Sequence, residues 1–172
     1  MPDCVVKTYR DGDSATKKGM GRAILWGGLI AGALDLIFAL TFNHWRGVPF
    51  IRVPQAIASG LLGTSSFQGG PTTAALGVVL HFVIALGFAA FYNVASRIFT
   101  LLTRQPVVCG LIYGVAIYYF MNLVVLPLSR APKFKPSTIS TLSDLASHLF
   151  LVGLTIALCA RRFSSERAVA GK

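Results

Sequence analysis

Acidic residues are scarce in this chain: six Asp and Glu among 172 residues, against sixteen Lys and Arg. Charged residues of both signs make up only 13% of it. A soluble domain of this size needs roughly twice that fraction to cover its surface, which argues against a soluble globular class. Cysteine is also scarce. Cys4, Cys109 and Cys159 form no paired framework and no CxxC spacing, so they read as three free thiols. No CxxCH haem attachment, GxSxG elbow or HExxH zinc helix occurs. Hydrolytic and nucleophilic catalysis therefore have no support, and the chain is not expected to be an enzyme. The formal charge of +10 comes without any aromatic-plus-basic repeat or zinc spacing, so nucleic acid is not the expected partner. The basic residues stand mainly at the ends of apolar runs, a placement that fits anionic lipid head groups.

Long apolar runs are abundant. The chain is 54% hydrophobic, with a mean hydropathy of +0.66. Ala23–Phe42, AILWGGLIAGALDLIFALTF, carries one charge, Asp35. At about 1.5 Å per residue it reaches about 30 Å, the thickness of a bilayer's hydrocarbon core. Thr73–Ser96 and Pro106–Leu128 contain no Asp, Glu, Lys or Arg. A fourth run ends at Ala160; started at Leu145 it is short for a bilayer, whereas a start near Ser137 crosses fully and takes Asp144 partway in. These runs predict an all-α membrane bundle with spans at about 23–42, 73–96, 106–128 and 138–160, in a domain 23–162. A flexible basic tail, 1–22, precedes it and a short tail, 163–172, follows.

The polar start and the length of the first run argue against a cleaved signal, so the first span is expected to be retained. Between spans one and two, Pro54 suits the first turn of a short helix, PQAIASGLLGTSSF, with Ile57, Leu61 and Leu62 on one side. It is too short to span and too apolar for a free loop, so an interfacial or re-entrant helix is expected.

Each of the first three spans carries small residues at i, i+4 spacing. Gly28 and Gly32 precede Asp35, Gly77 precedes His81, and Gly110 and Gly114 precede Tyr118 and Asn122. Small residues let helices approach closely, so these glycines mark the expected packing faces. The fourth span offers Asp144 and His148, a carboxylate–imidazole pair at i, i+4. Counted from the termini side, Asp35 and His148 lie at about 18 Å depth, and His81 and Asn122 at about 22 Å. Four helices thus bring polar residues into one layer about 5 Å thick. A carboxylate at such depth costs about 2.5–3.5 kcal/mol on insertion scales, and intramembrane Asp and His default to functional roles. Three readings fit the layer Asp35, His81, Asn122, Asp144 and His148. The favoured one is a centre for protons or a small polar ligand, reached from the outer side. The second is a structural or accessory subunit whose polar residues only fix packing. The third is haem held between His81 and His148, though no cofactor is expected. The chain is short for a complete transporter, so a pathway through it would call for a homo-oligomer.

GGLIAGALDL, AIASGLLG, LHFVIALGFAAFYNVASR, MNLVVLPLS and SHLFLVGLTIAL resemble a family of bacterial inner-membrane proteins called YagU-like. The resemblance covers about 23–160. It implies an inner-membrane location and a four-span fold, and it brings no activity, cofactor or catalytic residue.

Eleven of the sixteen Lys and Arg lie in the N-terminal tail, the turn between spans two and three, and the segment after Ala160. The positive-inside rule then places both termini in the cytoplasm. A reporter active only in the cytoplasm is expected to work when fused after Lys172 and to be silent at Lys133. The reverse pattern at both sites would overturn this topology.

Overall fold

The structure is a computed structural model, and it describes the backbone of residues 2–133 and 137–170 and the side chains of residues 19–133 and 137–163. Residue 1 and residues 171–172 of the tails, residues 134–136 of the basic loop and the Cys4 side chain lie outside the described set. Among the described residues every regular element is a helix.

Helix α1 covers Pro2–Trp45, α2 Arg52–Leu62, α3 Gly70–Ile98, α4 Leu101–Arg104 and α5 Pro106–Phe120. A π-helical turn, Met121–Val125, joins α5 to α6, Leu126–Leu128. The last span starts as α7, Thr138–Ser147, passes through a second π-helical turn, His148–Gly153, and ends as α8, Leu154–Ala170. Four stretches are long and apolar enough to cross a membrane: Gly19–Trp45, Gly70–Ile98, Pro106–Leu128 and Thr138–Phe163. The protein is an all-α bundle of four such helices. The backbone of α1 runs on as helix through positions 2–18, where the sequence reads as a flexible tail, and α8 likewise runs past the fourth span.

Local chemistry sets the span ends. Gly47 adopts φ +84°, and the amides of Gly47 and Val48 bond the carbonyls of His44 and Asn43, a C-terminal cap open to glycine without a Cβ penalty. Ser137 accepts from the Ser140 amide and so caps the fourth span at its longer start. Arg46 donates to the hydroxyls of Ser137 and Ser140, tying the end of span one to the start of span four. Pro127 has no amide proton, and the ladder before it relaxes into the first π turn.

Packing divides the bundle into a closed end and an open one. Lipid supplies no hydrophobic drive between spans, so approach depends on how little side chain stands in the way. Span one lies between spans two and four, and span three packs on span four. A methyl group on Gly110 would meet the Ala157 side chain and the Leu154 backbone at 2.9 Å, and one on Gly114 would strike the His148 carbonyl. One on Gly153 would strike the backbone of both Gly110 and Gly114. Gly28 and Gly32 play the same part against span two, at Leu86 and at Phe82 with Ala85. Gly77 meets the Pro54 carbonyl, so its partner is the connector helix α2.

Spans two and three, in contrast, barely bring their backbones together. Large rings hold them apart. Tyr113 donates to the Phe88 carbonyl at 2.8 Å, and its ring stands 4.9 Å from that of Tyr92, while Phe88 meets Phe120 edge to face. Toward the chain termini this gap is filled by the buried core of Ala89, Tyr92, Ile156, Ala157 and Ala160. Toward α2 it stays open.

Helix α2 packs lengthwise on the start of α3 through Pro54, Gln55, Ala58 and Ser59. The Gln55 amide donates to the Gly70 carbonyl at 3.1 Å. Span two is 29 residues, about 43 Å, longer than a bilayer core, and α2 covers its first turns. The end of α2 is fastened to the opposite loop, where the Arg130 amide donates to the Gly60 carbonyl at 2.9 Å.

The glycine contacts generate a paired test. Gly153→Ala places a methyl against backbone and is expected to lower unfolding stability in detergent by about 1–3 kcal/mol. Gly87→Ala, with no atom within 4 Å of the added methyl, is expected to be neutral or slightly stabilising. Equal stability of the two variants would contradict the crossing described here.

Candidate functional site

A cavity of about 720 Å³ occupies the open half of the bundle, between spans one, two and three, with α2 over it and the π turn of span four at its side. The volume falls within the roughly 300–1,000 Å³ of small-molecule sites. Most of its wall is apolar, built from Leu36, Leu80, Ile84, Phe88, Ile117 and Val125 among others. Asp35, His81, Asp144 and His148 all line it. Apart from them, the polar lining side chains are Asn43, Arg52 and Ser129, toward α2 and the loop opposite.

The helical repeat explains how four separate spans reach one space. Gly28, Gly32 and Asp35 share a face of α1, so the glycines that admit span two also turn Asp35 toward the seam beside it. His81 lies on α3 one turn from Ala85, which packs against Gly32. The His148 carbonyl rests on Gly114, so the closest crossing of spans three and four also sets the π turn that carries His148. Single π turns recur at functional sites, because the extra residue re-aims the side chains on either side.

Hydrogen bonds fix how each imidazole presents itself. His81 Nε2 lies 2.9 Å from the Gly32 carbonyl, which can only accept, so Nε2 carries a proton and Nδ1 is the nitrogen left over. In His148 the pattern reverses: Nδ1 lies 2.7 Å from the Asp144 carbonyl, which makes Nε2 the remaining one. His148 Nδ1 is also 3.5 Å from Asp144 Oδ1, and its ring stands edge to face with Tyr118 at 5.9 Å.

The two carboxyls differ. Asp144 has His148 beside it and the Asn122 side chain in its neighbourhood, yet 52% of its side chain remains open. Asp35 lies within electrostatic range of Asp144, and no hydrogen bond or ion pair to its carboxyl is present among the described residues. Three of the six acidic residues fall in positions 1–22 and one, Glu166, follows the fourth span. The remaining two, Asp35 and Asp144, share this cavity. Arg52 does not neutralise them: its guanidinium donates to the Phe67 carbonyl at 3.2 Å and lies over the Phe67 ring. A chain of formal charge +10 thus encloses an acidic, mostly apolar space.

Of the five polar residues singled out from sequence, four line the cavity. Asn122 is not among the lining residues, and its amide donates to the Tyr118 carbonyl at 2.9 Å. Cys109 and Cys159 are free and lie away from the cavity lining. No group of three or more His, Cys, Asp or Glu suited to a metal ion occurs among the described residues. Sequence reasoning missed the α2 wall. Val53, Ala56, Ile57, Gly60 and Leu61 face the cavity at the spacing of one helical stripe, a signal present in the sequence but read only for Ile57 and Leu61.

The four apolar helices and the lipid-facing rings and aliphatics around them decide the broad class. The chain is a multi-pass membrane protein. No family model, curated protein or solved structure matches it. Function therefore has to be argued from the cavity itself.

Proposed function

We propose that this membrane protein handles protons or a small ligand at the intramembrane cavity walled by Asp35, His81, Asp144 and His148. One observation carries the reading: the chain's two acidic residues within the apolar spans both open onto the same 720 Å³ space. Buried carboxylates are costly in a membrane and are found where they do work, facing a cavity or one another. The mixed partners also support it. Asp144 has an imidazole and an amide for company, while Asp35 has a neighbouring carboxyl and no fixed donor among the described residues. Two carboxyls facing one space are a place for a positive species between them.

The proposal is of binding or proton movement without covalent chemistry. It includes a bacterial inner-membrane location with both termini in the cytoplasm, supported by the Lys and Arg asymmetry and by the resemblance to the YagU-like family. In that orientation the α2 end of the cavity faces outward. A second reading is favoured by the His81–Gly32 bond, which joins two spans as a packing contact does. In that reading the protein is a structural or accessory subunit.

Two substitutions at one position separate these readings. Asp35→Asn keeps size and hydrogen-bonding capacity but cannot ionise, whereas Asp35→Leu removes polarity altogether. A proton or ligand centre predicts that Asn inserts and folds normally yet fails in a strain where deletion has a phenotype, and that His81→Ala fails with it. A packing role predicts that Asn is silent and that Leu is neutral or even stabilising, as replacement of buried ions can be. A fully active Asp35→Asn protein would count decisively against the proposal.

A further inference from the structure

The cavity's shape and charge narrow the class of ligand, on the premise that it is a binding site. We infer that its occupant is a hydrophobic organic cation: an apolar body bearing one protonated amine or other onium centre. Three observations converge on that class.

The first is the wall. A small inorganic cation would want a shell of oxygen ligands, whereas Leu36, Leu80, Ile84, Phe88, Ile117 and Val125 offer it none. These side chains suit an apolar body instead. The second is the sign of the charge. Asp35 and Asp144 line the same cavity, and the cationic group on the lining, Arg52, is engaged by the Phe67 carbonyl and ring. A positive centre between the carboxyls would relieve their mutual repulsion and meet the Asp35 carboxyl, which has no fixed donor among the described residues. An anionic or neutral ligand would offer the Asp35 carboxyl no counter-charge. The third is the aromatic surface beside the site. Phe88 lines the same cavity as the carboxyls, with Phe120 and Tyr113 next to it, and aromatic rings attract organic cations.

The histidines complete the site without competing for the cation. Each spends one nitrogen on a backbone carbonyl, so in the neutral ring the other nitrogen is an acceptor. A protonated amine can donate to such a nitrogen; a quaternary centre would use the carboxyls and rings alone. The α2 stripe of Val53, Ala56 and Ile57 lies over the bound body, and the Gly60–Arg130 backbone bond fastens that helix to the opposite loop.

The test uses two probes of nearly equal size and opposite charge, tetraphenylphosphonium and tetraphenylborate, with the full chain in lipid nanodiscs and empty nanodiscs as the partition control. The phosphonium is expected to bind saturably to the wild type and to raise its unfolding temperature. Asp35→Asn and Asp144→Asn should each weaken it by about tenfold or more, the scale for losing one charge partner at a desolvated site. Ile57→Trp, which keeps both carboxyls but fills space under α2, should weaken it as well. Tetraphenylborate should show partition only. Saturable phosphonium binding that survives both Asn substitutions would overturn the assignment, and so would its absence from the wild type. If an Asp variant fails to fold, Ile57→Trp and the wild-type contrast between the two probes still decide. Saturable borate binding, or phosphonium silence alongside an inactive Asp35→Asn strain, would refute the cation class while leaving the intramembrane centre standing. Silence of both probes with a fully active Asp35→Asn strain would remove both.

Discussion

Backbone contact at Gly110, Gly114 and Gly153 is the constraint on which the polar half of the molecule depends. Three glycines from two spans meet where no Cβ fits, and that crossing holds the His148 carbonyl on Gly114. The His148–Asp144 pair sits directly beside this contact and has little freedom to drift from it. On the other side of the bundle, Gly28 and Gly32 set span one against span two and so place Asp35 next to His81. Lipid cannot drive helices together by hydrophobicity, so side-chain volume decides where they close and where they part. Small residues close three of the seams. Phe88, Tyr92, Tyr113 and Phe120 hold the fourth apart. The cavity follows from that contrast.

The polar residues then meet an unusual environment. Carboxyls opening onto a mostly apolar space in the span region are costly, and their partners are correspondingly specific. Asp144 has an imidazole on its own helix and an amide from span three beside it, while Asp35 has no equivalent among the described residues. The asymmetry between the two is a reason to look for function here. Two carboxyls both fully paired within the protein would be complete as structure. One paired and one unpaired make a site.

Much of this could be read from the chain before any coordinates. Charge scarcity and run length sufficed for four spans, because the thickness of a bilayer constrains helices more tightly than a soluble core does. The depth count put Asp35, His81 and His148 in one layer, and all three line the cavity. Azimuth is harder to count. Asn122 lies at the right depth but is not among the lining residues, since the rotation of span three is set by how Gly110 and Gly114 dock, which composition does not state. Gly153 escaped notice although Ala157 follows it at i+4, a small-residue pair whose meaning appears against Gly110 and Gly114 on the opposite span. The π turns are invisible to a periodicity of 3.6, although Pro127 hints at the first. The role of α2 was half legible. Its apolar stripe was visible, but a stripe on a short helix between two spans can face lipid, water's edge or a cavity, and only its packing on α3 through Pro54 and Gly77 selects the last.

The central claim is that spans two and three are propped apart, so that Asp35 and Asp144 share one accessible space. An experimental map of the protein in a lipid bilayer tests this most directly. The account predicts Phe88 and Tyr113 bridging the two spans, with ordered water or ligand density between the carboxyls. Spans two and three packed along their length, with Asp35 and Asp144 on separate faces and nothing between them, would contradict it.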